Sequence, residues 1–357
     1  MRPKDHPDLH FDVIPKLYDA HSKVFLTSLC DVDEQLKPLP RRFCRMYTTR
    51  PLAIQLLQYL QTRKANVSEQ DFFVVEEGQP FALLLKDGKR LEGMLSSGSH
   101  LGHSLILLIR RQQGNRLLYC YSAMRLDNLG RLLGNSVFNY WIAQGTEQLY
   151  LNLSSVNLPF DHVDFDEMAH FIEDLGAEND QSVVHLKVPK FGYEEMLWRL
   201  AHTSLRGHIH LGDHIAKSYE CLSIDLERFL EENYVPRVFV SGCPTDFNYY
   251  QKVVSLDLKE LKWTPTPTRM HLRQLCSLLR PQHIQGIVQF HTDGIVPPIP
   301  SFLKIFKANY SPQNDAVVSR IRSEFQAGQP KQGPYRAFQS RRAFEFVNDD
   351  DESSSSG

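Results

Sequence analysis

No stretch of this 357-residue chain is apolar for long enough to cross a bilayer, and Met1-Arg2-Pro3-Lys4-Asp5-His6 lacks the hydrophobic segment of a secretory leader. A membrane partner is therefore not expected. Charge of one sign is not in excess either: 40 Lys and Arg against 42 Asp and Glu leave a net charge of −2. Any nucleic-acid contact must then come from a local patch, not from an overall basic field. The six cysteines, Cys30, Cys44, Cys120, Cys221, Cys243 and Cys276, form no C-x-x-C pair. Without a leader they read as reduced, mostly buried thiols, which points to the cytosol or nucleus. A Walker-type phosphate loop, a G-x-S-x-G elbow and an H-E-x-x-H helix are all missing, so the most readable signals of nucleotide, serine-hydrolase and zincin chemistry are absent.

What is present is a substantial apolar fraction, 42% of residues, enough to bury a core and predict two lobes. The first half reads as strands in hairpins. Phe72 to Val75, Phe81 to Leu85, Leu91 to Leu95, Leu105 to Ile109 and Leu117 to Tyr121 are strand-like runs, with Asp87-Gly88 as a tight turn. One helix interrupts them after Pro51, where Leu52, Leu56, Tyr59 and Leu60 share a face. From about Val156 short strands alternate with helices: Phe165 to Leu175, Val183 to Val188, Tyr193 to His202, His208 to Leu211 and Arg237 to Val240. That alternation predicts a parallel sheet. Arg269 to Arg280 reads as a further long helix. The breaker-rich stretch from Gln326 to Pro334 and the acidic, serine-rich end predict a mostly disordered tail. Within it, Tyr335-Arg336-Ala337-Phe338 and Phe344-Glu345-Phe346-Val347 read either as a short partner-binding motif or as a weakly packed extension.

Ser28-Leu29-Cys30-Asp31-Val32-Asp33-Glu34 follows the strand-like Val24-Phe25-Leu26 and has the form of a metal loop without its histidines. Beside it stand Met46-Tyr47-Thr48-Thr49-Arg50-Pro51, Leu95 to Ser104 with Gly98 and Gly102, and Leu118 to Ser122 followed by Met124-Arg125-Leu126. Leu149 to Ser154, Phe191-Gly192-Tyr193-Glu194, Trp263 to Thr268 and Val296 to Pro300 complete the series. Taken in order, these segments resemble the S-H-x-H-x-D-H loop and the later motifs of the DNA cross-link repair nucleases, the family of Artemis and Apollo. The resemblance runs from about Val24 to about Pro300 and implies an α+β fold: a metallo-β-lactamase-like αβ/βα sandwich with an inserted α/β β-CASP domain. It implies a core over 1–153 and 263–312, an insert over 154–262 and a tail over 313–357.

The departures from the family pattern carry the functional expectation. Leu29, Asp31, Glu34, Ser99, Ser122 and Thr266 stand where the resemblance places metal ligands, Asn152 stands for a supporting acid, and only Asp33 keeps the family residue. Zinc activates water through clustered nitrogen and carboxylate ligands, and leucine supplies none. The expected protein is a catalytically inactive relative with no metal cofactor, acting in the nucleus in DNA repair or at telomeres. Its partners would be DNA ends or repair or telomere proteins, with no small-molecule substrate. One alternative is an active metal-dependent 5′-3′ exonuclease with Mg or Zn on a remodelled site of Asp31, Asp33 and Glu34; another is a non-catalytic partner in RNA processing. The same three carboxylates also read as a solvated acidic turn, and that reading is preferred because Ser99, Ser122 and Thr266 would have to complete the shell with hydroxyls. His100 and His103 flank one lost position.

Local basic clusters are the candidates for DNA contact: Arg41, Arg42 and Arg45, Arg110 with Arg111, and Arg269 with Arg273 one helical turn on. Each also reads as an ordinary solvated face. His202, His208, His210 and His214 form a metal-like set on paper but are expected to be structural or at the surface, and Cys30 to be a buried structural thiol.

Overall fold

A computed structural model describes residues 1–309 except 4, 100, 102–103, 112–113, 123–131, 144, 159–162, 177–181, 223, 230–234, 241–251 and 289–294. All the described residues fall in one compact unit, Met1–Tyr310. The tail with its aromatic motifs, His100, His103, Cys243 and Met124 to Leu126 lie outside the described residues.

The N-terminal sheet is built of β1 (Leu9–Phe11), β2 (Lys23–Phe25), β3 (Arg45–Thr48) and β4 (Phe72–Val74). Its order is β1-β2-β3-β4 and every pairing is parallel. Here the hairpin expectation for the first half is corrected. Parallel neighbours need crossovers, and helices α1 (Val32–Gln35) and α2 (Arg50–Thr62) lie in them. Helix α2 starts at Arg50-Pro51 and buries Leu52, Leu56, Tyr59 and Leu60, the face predicted from their spacing.

The hairpins belong to the second sheet. It comprises β5 (Phe81–Leu84), β6 (Arg90–Ser97), β7 (Leu105–Arg111), β8 (Gly114–Cys120), β9 (Gln148–Leu151) and β14 (His283–Gly286), in the order β14-β9-β8-β7-β6-β5. Strands β5 to β8 are antiparallel; β9 pairs parallel with β8, and β14 with β9. Both faces of this sheet are covered, which is why its strands read as continuous apolar runs. Leu95, Leu107 and Tyr119 point to the core shared with Phe11 and Phe25, and the Phe11 and Tyr119 rings lie 5.1 Å apart. On the other face Met94, Ile106, Leu108 and Leu118 meet Phe138 and Trp141 of α3 (Ser136–Ala143). Helices α7 (Arg269–Leu279) and α8 (Ser301–Lys304) complete that layer through Leu272, Leu275 and Leu303. The layers run helix, sheet, sheet, helix, the metallo-β-lactamase-like αβ/βα sandwich.

Between β9 and α7 the chain forms a third sheet with its own core. Strands β10 (Ser182–Leu186), β11 (Ile209–Leu211), β12 (Val238–Val240) and β13 (Lys252–Leu256) are all parallel, in the order β11-β12-β10-β13. Helices α4 (Phe165–Gly176), α5 (Glu194–Leu200) and α6 (Asp213–Glu220) pack on it through Ile172, Leu197 and Ile215. Gln55 of α2 reaches across to α6, donating from Nε2 to the Ser218 carbonyl at 3.3 Å and hydroxyl at 3.0 Å.

Candidate functional site: the acidic loop after β2

The loop from Thr27 to Leu36 is fastened before any ligand is considered. Asp12, buried and with φ at 47°, accepts hydrogen bonds from the Thr27 amide at 2.6 Å, the Thr27 hydroxyl and the Ser28 amide at 3.3 Å. Burial pushes its carboxyl upward, opposed by those Thr27 hydrogen bonds. Gln35 closes the other end: its Oε1 accepts from the Ile14 amide at 3.1 Å and its Nε2 donates to the Asp12 carbonyl at 2.8 Å. Sequence reasoning passed over both residues; the only signal was a polar side chain beside an apolar strand.

The three loop carboxylates turn to three different groups. Asp31 accepts from the Tyr121 hydroxyl and Asp33 from the Tyr59 hydroxyl, while Glu34 pairs with Lys37. Tyr59 is pushed up to about 12, by burial first and by its bond to Asp33 second, so it stays a donor. Arg63 supports it, donating to the Tyr59 oxygen at 2.9 Å and the Leu36 carbonyl at 2.8 Å. Lys190 sits 4.8 Å from the Tyr59 ring centroid.

The remaining positions are occupied in other ways. Leu29 is 3% exposed and belongs to the core shared by the two stacked sheets. Ser99 is buried, its amide donating to the Ser97 hydroxyl at 3.3 Å. Thr266 joins Ser155 and Thr264 in a set of mutually bonded hydroxyls, with Thr264 at 2.9 Å. Asn152 Oδ1 accepts from the Ser154 amide at 3.0 Å, which turns its NH2 the other way. That Nδ2 and the Ser122 hydroxyl are buried without a hydrogen-bond partner among the described residues.

A loop from the third-sheet lobe covers the site. Gly192 has φ at +96°, and a Cβ there would meet Cys30 Sγ at 2.6 Å. Only glycine gives both this backbone and this approach. Phe191 packs edge-on against Tyr59 at 5.4 Å, and the Gly192 amide donates to buried Glu194 at 2.7 Å. Cys30 accepts from the Ser28 hydroxyl at 3.0 Å. Burial, with Glu194 and Asp31 nearby, pushes its thiol up to about 12, so it is not a thiolate nucleophile near neutral pH.

This donor set does not fit the zinc centre of the resembled family. Leucine offers no electrons, the orphan amide of Asn152 is a donor, and the carboxylates diverge towards tyrosine and lysine partners. Among the described residues no group of three or more His, Cys, Asp or Glu side chains is arranged to hold a metal ion. His202 bonds the Trp198 carbonyl through Nδ1 at 2.7 Å, His208 bonds that of Val235 at 2.9 Å, and His210 packs on Phe239 at 5.3 Å.

The candidate DNA-contacting arginines fall in separate places. Arg45 opens β3 opposite Lys23, at the end of the parallel sheet away from the acidic loop, and its guanidinium lies 5.3 Å from the Phe73 ring. Arg42 stacks on Tyr18 at 3.8 Å, and Arg41 is exposed beside it. Arg269 is the first residue of α7, directly after Thr268, and Arg273 lies one turn further on. They line a groove of about 950 Å³ with Met270 and Phe306, where Arg269 lies 4.6 Å from the Phe302 ring.

No protein-family model matches the chain, and no curated protein matches it. Among solved structures it is similar to Zn(2+)-bound PqqB from Methylobacterium extorquens, at 17% identity and a TM-score of 0.25 over 43% of this chain and 50% of that one. It is also similar to an isothiocyanate hydrolase from Delia radicum gut bacteria, at 13% identity and a TM-score of 0.25 over 43% of this chain and 59% of that one. Both are metallo-β-lactamase-fold proteins, and the chain spans only 50% and 59% of their lengths. Likeness at this level carries no argument about chemistry; the fold assignment, a metallo-β-lactamase-like sandwich with a parallel-sheet lobe, stands on the layers and strand order above.

Proposed function

We propose that this chain is a non-catalytic relative of the DNA cross-link repair nucleases that works in the nucleus as a binding scaffold for DNA ends or for repair or telomere proteins. The observation that carries the reading is the divergence of Asp31, Asp33 and Glu34 towards Tyr121, Tyr59 and Lys37. Charged groups already satisfied by protein donors have little to gain from a shared cation. The DNA part rests on the ordered motif resemblance and on Arg269 and Arg273, which lie in the first two turns of α7 and line one groove.

Two measurements test it. Metal analysis of the purified chain, beside a nuclease assay with magnesium, manganese and zinc, should give no stoichiometric transition metal and no cleavage. Metal-dependent exonuclease activity abolished by Asp33→Ala would establish the remodelled active enzyme instead. Fluorescence anisotropy with labelled duplex and single-stranded ends should show binding that weakens steeply with salt, because each phosphate contact releases counterions. Joint replacement of Arg269 and Arg273 by alanine should flatten that slope more than joint replacement of Arg41, Arg42 and Arg45. Absence of binding at low salt would move the function to protein partners.

A further inference from the structure

The outer side of α7 carries two stripes of different chemistry. Leu272, Leu275, Cys276 and Leu279 take the inner side of the helix into the core. Arg269, Arg273 and Ser277, four residues apart, are exposed along one edge. Met270, Gln274 and Leu278 form the adjoining stripe and are half-buried. Phe306, just beyond α8 and also half-buried, completes the groove of about 950 Å³ that these residues line. Three bulky apolar side chains gathered in one open groove are the usual mark of an interaction surface.

The charge around it is one-sided. Between Glu260 and Asp315 the sequence holds six Lys and Arg and one carboxylate, Asp293, in a chain whose charges otherwise nearly balance. Asp293 lies outside the described residues. Among the described residues no Asp or Glu lines the groove, and neither Arg269 nor Arg273 makes an ion pair. Arg269 lies over the Phe302 ring at 4.6 Å, a contact that leaves the N–H edge of its guanidinium available. Two arginines alone suit any anion, duplex DNA included. The floor discriminates. A phosphate backbone gains nothing from Met270, Leu278 and Phe306, whereas an amphipathic segment with acids along one side uses both stripes at once.

We propose that this groove receives a short acidic amphipathic helix of a partner protein. Its apolar side lies against Met270, Leu278 and Phe306, and its carboxylates fork onto Arg269 and Arg273. The spacing agrees: four residues along α7 span about 6 Å, the same rise that separates acids at i and i+4 of the incoming helix. The assignment rests on the scaffold reading and narrows it to one class of protein partner. DNA held by the same two arginines competes with that partner.

Fluorescence anisotropy of the full chain tests it. The probe is a labelled peptide of Glu, Ala and Leu with Leu at i, i+3, i+4 and i+7 and Glu on the other side. Its control has the same composition in scrambled order. The patterned peptide should bind saturably and the scrambled one about tenfold more weakly, the scale of one lost apolar anchor. Joint replacement of Met270 and Leu278 by glutamine, a good helix former, should weaken the patterned peptide about tenfold or more and leave duplex DNA binding unchanged. Joint replacement of Arg269 and Arg273 by glutamate should weaken both ligands. If the double glutamine variant does not fold, Gln274→Glu decides, because it sets a repelling charge in the floor without changing its shape. Equal binding of the two peptides overturns the proposal, as does patterned binding indifferent to the floor variants. No peptide binding, with DNA binding still lost on replacing Arg269 and Arg273, gives the groove to nucleic acid and overturns it while leaving the scaffold reading in place. Metal-dependent DNA cleavage by a chain that still binds the patterned peptide supports the groove assignment and overturns the non-catalytic reading alone.

Discussion

The contact between Gly192 and Cys30 offers a test of how the loop after β10 closes over the acidic loop. Gly192→Ala adds a Cβ 2.6 Å from Cys30 Sγ and holds alanine at a positive φ. The expected loss is about 1–3 kcal/mol in urea unfolding. Pairing it with Cys30→Ala should restore part of that loss, since the backbone strain remains while the sulfur is gone; full additivity of the two changes would argue against direct contact. A second residue-scale effect concerns acid. Burial holds His10 at about 4, and His6 is lowered too, by burial first and Arg111 second. The unfolded chain takes those protons near the ordinary value of about 6.5. Between these values the unfolded state binds more protons, so stability should fall as pH drops from about 6.5 towards 4 and level off below. In melts at about pH 7 and about pH 4, His10→Gln should lose fewer degrees than the parent chain. An equal loss would assign the acid sensitivity to other groups.

Among the elements, α7 shows what local pattern can and cannot specify. Thr268 and His271 form a capping box at its start, with the Thr268 amide donating to His271 Nδ1 at 3.1 Å. Its end rests on Arg280 in the left-handed region, with φ at 42°. That position favours glycine, so Arg280→Gly should raise stability by up to about 1 kcal/mol, and Thr268→Ala should lower it by about 1 kcal/mol. Thermal melts of the two variants should move in opposite directions. The helix itself was readable from its apolar spacing, as were α2, α4 and most strands of the six-stranded sheet. The three-residue strand β1 was not, nor was the parallel order of the first sheet. Short strands acquire their pairing from neighbours distant in sequence, and an apolar run looks the same in either orientation.

For the molecule as a whole, the expectation is a fold that does not lean on metal. The acidic loop is anchored through Asp12, Gln35, Tyr59 and Tyr121, all protein groups. Chelator treatment should therefore leave the melting temperature unchanged, and a clear drop would show that an ion bears on the core. The covered faces of the six-stranded sheet and the bridge from Gln55 to Ser218 bind the layers and the third-sheet lobe into one described unit.

By itself the sequence determined the periodicities that make α2, α7 and the hairpin strands, and the identity of residues that cannot ligate. Leu29 has no donor whatever its surroundings. Only the tertiary structure decided where the loop carboxylates point. Asp31 and Asp33 are two residues apart, yet their partners, Tyr121 and Tyr59, lie 90 and 26 residues away, while Glu34 takes the local Lys37. It also decided that Arg45 and Arg269 lie in different settings, one against the Phe73 ring and the other against Phe302. The physical reason is the same in each case. Side-chain chemistry is local, but the direction of a side chain and the company it keeps follow from strand register and from contacts between residues far apart in the chain.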